Sequence, residues 1–237
     1  MQDQHIASAF DRDLEGLQAS IMKMGGLVEA SILDSARALG DRDTDLAEQV
    51  RAGDVAVDNI EDLINEEAAR IIAMRQPKAS DLRTVLTVMK VSGNLERIGD
   101  YAKNIAKRTS LIAETGPING SDQALKRMAR EVEVMLRDVL DAFVQRDADL
   151  AADVRDRDES VDLMYNSLFR DFLTHMMEDP RNITACMHLH FIAKNIERMG
   201  DHTTNIAEEV IYLVTGEHPD DARPKGETAP GIEREGA

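Results

Sequence analysis

The hydrophobic residues of this chain recur with the period of an α-helix. Between positions 88 and 112, apolar side chains return every three or four residues. At ~100° per residue this spacing places them on one stripe of a helix. The stripe consists of Val88, Val91, Leu95, Ile98, Ala102, Ile105 and Ile112. A stripe of this kind buries itself against other helices, so the pattern predicts a helical bundle.

Proline and glycine divide the chain into six segments with this pattern. The turn at Gly40, the prolines Pro77, Pro117 and Pro180, and a short connection at residues 146–148 stand between the segments, and proline cannot continue a helix. Residues 216–237 are polar and lack apolar periodicity, which predicts a disordered tail. The six predicted helices cover about 6–39, 45–74, 81–113, 121–145, 149–177 and 181–214.

The second half of the chain repeats the first. Residues 94–100 return as residues 195–201, at an offset of 101. Residues 43–47 match residues 147–151 at an offset of 104, so the second copy is three residues shorter in between. The sequence therefore predicts an all-α fold, a tandem duplication of a three-helix bundle with six long helices.

Glycines mark two further positions. The strongest internal break, at residues 116–120, predicts domains at 1–118 and 119–215. Gly25 and Gly26 lie in the middle of the first helix, where such a pair costs roughly 1–2 kcal/mol of helix propensity. The pair indicates either a close approach of another helix or partner, or a kink.

Each copy of the repeated motif carries a Glu-x-x-x-Asp pair. The pairs are Glu96 with Asp100, and Glu197 with Asp201. The first pair lies roughly 140–180° from the centre of the apolar stripe, and the second occupies matching positions. Both pairs are therefore predicted to point outward, away from the bundle core.

Acidic pairs on the preceding helices meet these motifs. Asp58 and Glu96 each stand 19 residues from Pro77, on opposite sides, and Asp54 and Asp100 each stand 23 residues from it. Antiparallel helices rise equally per residue, so four carboxylates are predicted at one height in each hairpin. The two sets are Asp54, Asp58, Glu96 and Asp100, and Asp158, Asp162, Glu197 and Asp201.

Four carboxylates in one patch can bind cations. Like charges at i,i+4 are ~5–6 Å apart and repel, and a cation removes that repulsion. Oxygen ligands suit Mg²⁺, Ca²⁺, Mn²⁺ or iron, and such a patch can bridge two or more metals ~3.5–4 Å apart. The alternative is a solvated helix face, because 45 of the 237 residues are acidic. Arg97 and Arg198 could also neutralise the carboxylates.

Composition limits the other function classes. The net charge of −17 argues against nucleic acid and anionic lipid as primary partners. The only cysteine, Cys186, rules out an intramolecular disulfide framework and suits a reducing compartment. We see no signal peptide and no apolar run near the ~18 residues of a membrane span. A cytoplasmic protein that does not insert directly into a membrane is predicted.

The two Glu-Arg-[Ile/Met]-Gly-Asp motifs in a duplicated three-helix unit resemble the PhoU family, up to about residue 215. Further matching segments are Met24–Gly26, Arg75–Pro77, Ala79–Arg83 and Asp138–Phe143. The resemblance implies two bundles that bind multinuclear metal clusters at the eight carboxylates, with iron, zinc, manganese or magnesium as the expected metals. One departure from the repeat is Asp62, whose counterpart is Asn166. The two sites are therefore expected to differ.

The resemblance also implies a function. PhoU proteins are phosphate-transport accessory proteins and negative regulators of the phosphate response. The expected partners are the ATPase subunit of the phosphate ABC transporter, a sensor histidine kinase and a second copy of the chain. The alternatives are a carboxylate-metal enzyme, such as a di-iron oxidase or phosphohydrolase, and a plain helical scaffold. Di-iron bundles use Glu-x-x-His motifs, and no His here has Glu three residues before it, which favours a non-enzymatic regulator.

Overall fold

The computed structural model describes the backbone of residues 2–219 and the side chains of residues 10–219. This part of the chain contains six α-helices, one short 3₁₀ turn at Pro180–Asn182 and no strand. The all-α prediction and the duplication are confirmed. The helices are α1 (Gln2–Asp41), α2 (Thr44–Arg75), α3 (Ser80–Ile112), α4 (Ser121–Gln145), α5 (Ala148–Glu178) and α6 (Ile183–Thr215). None of the described helices is long and apolar enough to cross a membrane.

Equivalent aspartates precede the second helix of each repeat. Asp43 precedes α2, and its Oδ1 accepts hydrogen bonds from the amides of Asp45 and Leu46 at 3.0 and 2.9 Å. Asp147 precedes α5 and accepts the same two bonds. Such caps satisfy amides that have no partner within the helix. Gly216, at φ 87°, ends α6 in the left-handed conformation that glycine adopts without strain. Most of the predicted tail, from residue 220 onward, lies outside the described residues.

The two repeats pack against each other through α3 and α6. Each of these helices contacts the other two helices of its own repeat and also contacts the other central helix. They run antiparallel: Lys90 pairs with Glu209 at one end, and Arg108 contacts His188 at the other. Helices α1 and α4 also contact each other. Buried apolar side chains from both repeats form one continuous core.

The glycine pair in α1 marks a close helix approach. The helix is continuous through Gly25 and Gly26. A Cβ at Gly25 would collide with the side chain of Leu140, which is 1% exposed on α4. A Cβ at Gly26 would meet nothing within 4 Å. Of the two interpretations of this pair, the structure supports contact with another helix, and only Gly25 makes it.

Candidate functional site

The predicted carboxylates lie along the seams between helices. We call Asp54, Asp58, Glu96 and Asp100 face one, and Asp158, Asp162, Glu197 and Asp201 face two. Face one spans α2 and α3, and face two spans α5 and α6. The glycine of each motif allows the close approach. A Cβ at Gly99 would lie 3.4 Å from Asp54 Oδ1, and one at Gly200 would lie 3.0 Å from Asp158 Oδ1.

The prediction that the Glu-x-x-x-Asp pairs point outward is wrong for Glu197, and three carboxylates on the preceding helices are buried as well. Asp54, Asp158 and Glu197 are only 3%, 4% and 3% exposed, and Asp162 is also buried. The apolar stripe of α3 or α6 identifies one direction of burial. Each central helix, however, is surrounded by three neighbours, so a side chain far from the stripe still meets another helix. Glu96 and Asp100 are partly exposed, with side-chain exposures of 20% and 33%.

A lysine neutralises the interior of face one. Lys103 Nζ lies 2.5 Å from Asp54 Oδ2 and 3.3 Å from Asp100 Oδ1. The hydrogen bond to Asp54 is the main cause of a raised pKa at Lys103, so the ammonium stays charged. Arg97 also contributes, as expected, although at longer distances of 3.5 Å to Glu96 and 3.8 Å to Asp100. Spacing along α3 gives no sign of this role of Lys103, because the side chain reaches across to a neighbouring helix.

Two further carboxylates extend face one. Burial and the charge of Asp100 raise the pKa of Glu96 to about 7, and Glu61 on α2 adds to this effect. Burial raises the pKa of Asp58, and the charges of Asp54, Asp100 and Asp62 raise it further. Spacing alone could have identified Glu61, because it lies seven residues after Asp54, two turns along α2.

The carboxylates of face one that influence one another across the helices are not the pairs predicted to lie level. We expected Asp58 level with Glu96. Instead, Asp100 is the α3 carboxylate that acts on Asp58, and Glu61 is the α2 carboxylate that acts on Glu96. Side chains of a helix lean toward its N-terminus. In two antiparallel helices they lean in opposite directions, so residues at equal height do not place their carboxylates together.

Face two is neutralised at a different place. Lys194 Nζ lies 2.6 Å from Glu197 Oε1. Burial raises the pKa of Glu197, the Lys194 ammonium opposes this shift, and the charges of Asp201 and Asp162 add to it. Glu197 Oε2 is buried and has no hydrogen-bond partner. Face two therefore presents a desolvated carboxylate oxygen that a cation could bind.

The repeats thus carry their lysines at non-equivalent positions. Lys103 corresponds to Thr204 in the second copy, and Lys194 corresponds to Gly93 in the first. The carboxylates differ as well, because Glu61 and Asp62 are replaced by Tyr165 and Asn166. Face one consequently has two neighbouring carboxylates, Glu61 and Asp62, that face two lacks, and its α3 has no counterpart of Lys194.

The donor chemistry of both faces fits an oxygen-preferring cation, but the arrangement is not that of a preformed cage. No group of three or more His, Cys, Asp or Glu side chains among the described residues is positioned to hold a metal ion. The ammonium groups of Lys103 and Lys194 neutralise the innermost carboxylates instead. A metal that binds either face would have to displace or rearrange a lysine.

Histidines and the cysteine lie away from the carboxylate faces or contact other groups. His202 Nδ1 lies 2.8 Å from Asn94 Oδ1, across the contact between α3 and α6. His190 lies among aromatic rings of α5 and α6. Cys186 is buried, and burial raises the pKa of its thiol. The cysteine behaves as the small buried side chain of a helix core.

Residues 21–109 and 125–210 each match the PhoU domain. The chain belongs to the PhoU family. It is 48% identical over 225 residues to the phosphate-specific transport system accessory protein PhoU homolog of Rhizobium meliloti (strain 1021), covering 95% of each chain. It is 45% identical to the homolog of the same description from Caulobacter vibrioides (strain NA1000 / CB15N), covering 94% of this chain and 96% of the relative.

Solved structures of the family share the fold. The crystal structure of PhoU from Pseudomonas aeruginosa superposes with a TM-score of 0.85 at 42% identity, covering 88% of this chain and 100% of that one. The phosphate transport system regulatory protein PhoU from Streptococcus pneumoniae gives a TM-score of 0.82 at 31% identity, covering 89% and 99%. The six helices described above are therefore those of a PhoU protein.

Proposed function

We propose that this chain is a non-enzymatic accessory protein of phosphate transport that represses the phosphate-starvation response. It would connect the ATPase subunit of the phosphate ABC transporter to a sensor histidine kinase, in the cytoplasm. The observation that carries this proposal is the match to PhoU accessory proteins over nearly the whole length of both chains. A relative with full coverage supports the role of the whole protein rather than of a shared module.

The role is tested by deletion and complementation. Deleting the gene should leave phosphate-starvation genes switched on in phosphate-rich medium, and the wild-type chain should restore repression. Reporter expression in the two strains at high phosphate measures this. Normal repression in the deletion strain would contradict the proposal.

The carboxylate faces belong to the proposal as metal-binding surfaces. Asp54, Asp58, Glu96 and Asp100 would hold metal at face one, with Glu61 and Asp62 adjacent. Such an ion would supply further positive charge to carboxylates whose present counter-ions are Lys103 and, at longer distances, Arg97. The buried, unpartnered oxygen of Glu197 supports the same role at face two.

The metal content of the purified protein shows whether face one binds metal or is only a solvated helix face. Glu96→Gln with Asp100→Asn keeps side-chain size nearly constant and removes two charges. Bound metal, measured by elemental analysis of purified protein, should fall by about one face's share, and face two should keep its metal. The matched control is Glu48→Gln with Asp153→Asn, two carboxylates with side chains 67% and 63% exposed. Equal metal content in all three proteins would refute ligation at face one.

The proposal includes a homodimer. Gly26 is exposed on α1, and its missing side chain leaves room for a second helix to approach. Light scattering of the full-length protein distinguishes a dimer from a monomer. Gly26→Leu should weaken the dimer if this surface forms it, whereas an unchanged mass would place the dimer interface elsewhere.

A further inference from the structure

In two segments of this acidic chain, all the charged residues are basic. Residues 101–113 of α3 and 183–196 of α6 contain no Asp or Glu, although about one residue in five is acidic elsewhere. They contain Lys107 and Arg108, together with Lys103 and Lys194, which pair with carboxylates of faces one and two. Arg198 lies two residues beyond the second segment, after Glu197. Because α3 and α6 run antiparallel, the two segments lie side by side. Arg108 contacts His188 at 3.4 Å and lies 4.4 Å above the ring of Phe191.

The duplication does not reproduce this charge. In the second copy, Glu208 and Glu209 occupy the positions of Lys107 and Arg108. Glu209 pairs with Lys90 at 2.8 Å, and Glu208 lies 3.6 Å from Arg155. The equivalent end of the α3–α6 groove is therefore neutralised within the chain. The basic end is particular to the C-terminal half of α3 and the N-terminal half of α6.

Apolar side chains are exposed at the same end. Leu111 is 52% exposed, Met187 is 40% and Phe191 is 44%. Arg198 lies 6.0 Å from the ring of Tyr101. Arginine, aromatic residues and methionine are enriched in protein interfaces, and arginine and tyrosine are common where binding energy concentrates. The combination fits a protein partner better than nucleic acid, which the net charge of −17 disfavours.

We propose that this end of the α3–α6 groove is a docking surface for an acidic segment of a different protein. Carboxylates of that segment pair with Lys107 and Arg198, and an apolar side chain packs on Phe191 and Met187. A second copy of this chain is the poorer occupant. A two-fold dimer through this surface would set the same cations against each other, and like charges across an interface are unfavourable.

The inference concerns the surface and the chemistry of its partner, and it rests on the proposed function only for the pathway to which that partner belongs. The test is photo-crosslinking in cells with p-benzoylphenylalanine in place of Phe191. The same crosslinker in place of Leu63, which is 62% exposed on α2, is the position control. Mass spectrometry then identifies the crosslinked peptide.

Two charge variants, each made in the Phe191 crosslinking background, complete the design. Lys107→Glu with Arg198→Glu reverses the charge of the groove. Arg37→Glu with Arg51→Glu gives the same change in net charge at exposed positions of α1 and α2. We expect a crosslink to an acidic peptide of another protein. Its yield should fall about tenfold or more in the groove variant and stay within about twofold in the control.

Four results would overturn the inference: a crosslink to a second copy of this chain, a neutral or basic crosslinked peptide, equal yields in both charge variants, or no protein adduct at either high or low phosphate. If the acidic partner belongs to neither the phosphate transporter nor its kinase, the docking surface stands and the proposed function loses support. Repression in the deletion strain tests that function separately.

Discussion

Lys103→Met is the substitution that examines face one most directly. Methionine keeps the length of the side chain and removes the ammonium from between Asp54 and Asp100. The Asp54 side chain is 4% exposed and the Lys103 side chain is 42% exposed. Removing the lysine therefore leaves a buried carboxylate without its nearest positive charge.

The structure sets the size of the effect. Breaking a fully buried ion pair costs ~3–5 kcal/mol, and an exposed pair contributes ~0–1 kcal/mol. Because one partner is buried and the other is nearly half exposed, we expect a loss of about 1–3 kcal/mol in the free energy of unfolding without metal. For a chain of this size that corresponds to a melting temperature lower by about 2–12 °C.

Metal should offset a large part of this loss. Without the ammonium, Mn²⁺ has no competing cation at Asp54 and Asp100, and its dissociation constant should fall about tenfold, or ~1.4 kcal/mol. Calorimetric titration with Mn²⁺ measures the affinity, and thermal unfolding in chelator and in saturating Mn²⁺ measures the stability. Metal that binds only the folded state adds RT ln(1 + [L]/Kd) to stability. The variant should therefore gain more from Mn²⁺ than the wild type does.

The control is Lys107→Met, an exposed lysine one turn further along α3. It should change neither stability without metal nor Mn²⁺ affinity appreciably. If Lys103→Met lowers the melting temperature equally in chelator and in Mn²⁺, the metal does not bind at the place that the Lys103 ammonium occupies. If it leaves the stability in chelator unchanged, Asp54 does not depend on Lys103.

Three further predictions follow from burial and packing. Because the folded state raises the pKa of Glu96 to about 7, it binds more protons than the unfolded state between about pH 4.5 and 7, and stability falls as pH rises through that window. Glu96→Gln should thus raise the free energy of unfolding by on the order of 1 kcal/mol at pH 8, after allowance for solvent screening, and should change it little at pH 5. Thermal unfolding at the two pH values measures this, and a gain independent of pH would contradict it. Gly25→Ala should lower the free energy of unfolding by ~1–3 kcal/mol, because the added Cβ collides with Leu140. Gly26→Ala should raise it by ~0.5–1 kcal/mol, because alanine favours the helix and its Cβ meets no neighbouring atom. Equal changes for the two variants in urea unfolding would refute the contact between Gly25 and Leu140. Buried Cys186 should react with a thiol reagent only at the rate of unfolding, so rapid labelling of the native protein would show that it is accessible.

Local spacing was sufficient to predict the helices. Apolar periodicity and the breaks between segments located all six, and α1 differs by beginning at Gln2 rather than Ile6 and by ending at Asp41 rather than Leu39. The matching segments identified the duplication, and the motif pairs identified Glu96, Asp100, Glu197 and Asp201 as the residues to examine. These inferences succeed because helix geometry fixes the relation between residues three and four positions apart, whatever surrounds the helix. Metal binding and the domain limits stay predictions.

The surroundings of the carboxylates depended on tertiary structure. Periodicity gives the angle of Glu197 from the apolar stripe of its own helix, but not the number of helices around it. Glu197 is consequently buried although its angle predicted exposure. Register counted from the turn placed Asp58 and Glu96 at one height without accounting for the direction in which their side chains lean.

Sequence spacing likewise could not predict Lys103 as the counter-ion of Asp54 in face one. Lys103 meets Asp54, which is 49 residues earlier in the chain, only because α2 and α3 pack side by side. The contact between α3 and α6 also unites the basic segments of two different repeats, in a groove that neither repeat contains alone. A long charged side chain can reach any of several neighbouring helices, so its partner is decided by the packing of those helices rather than by its position in sequence.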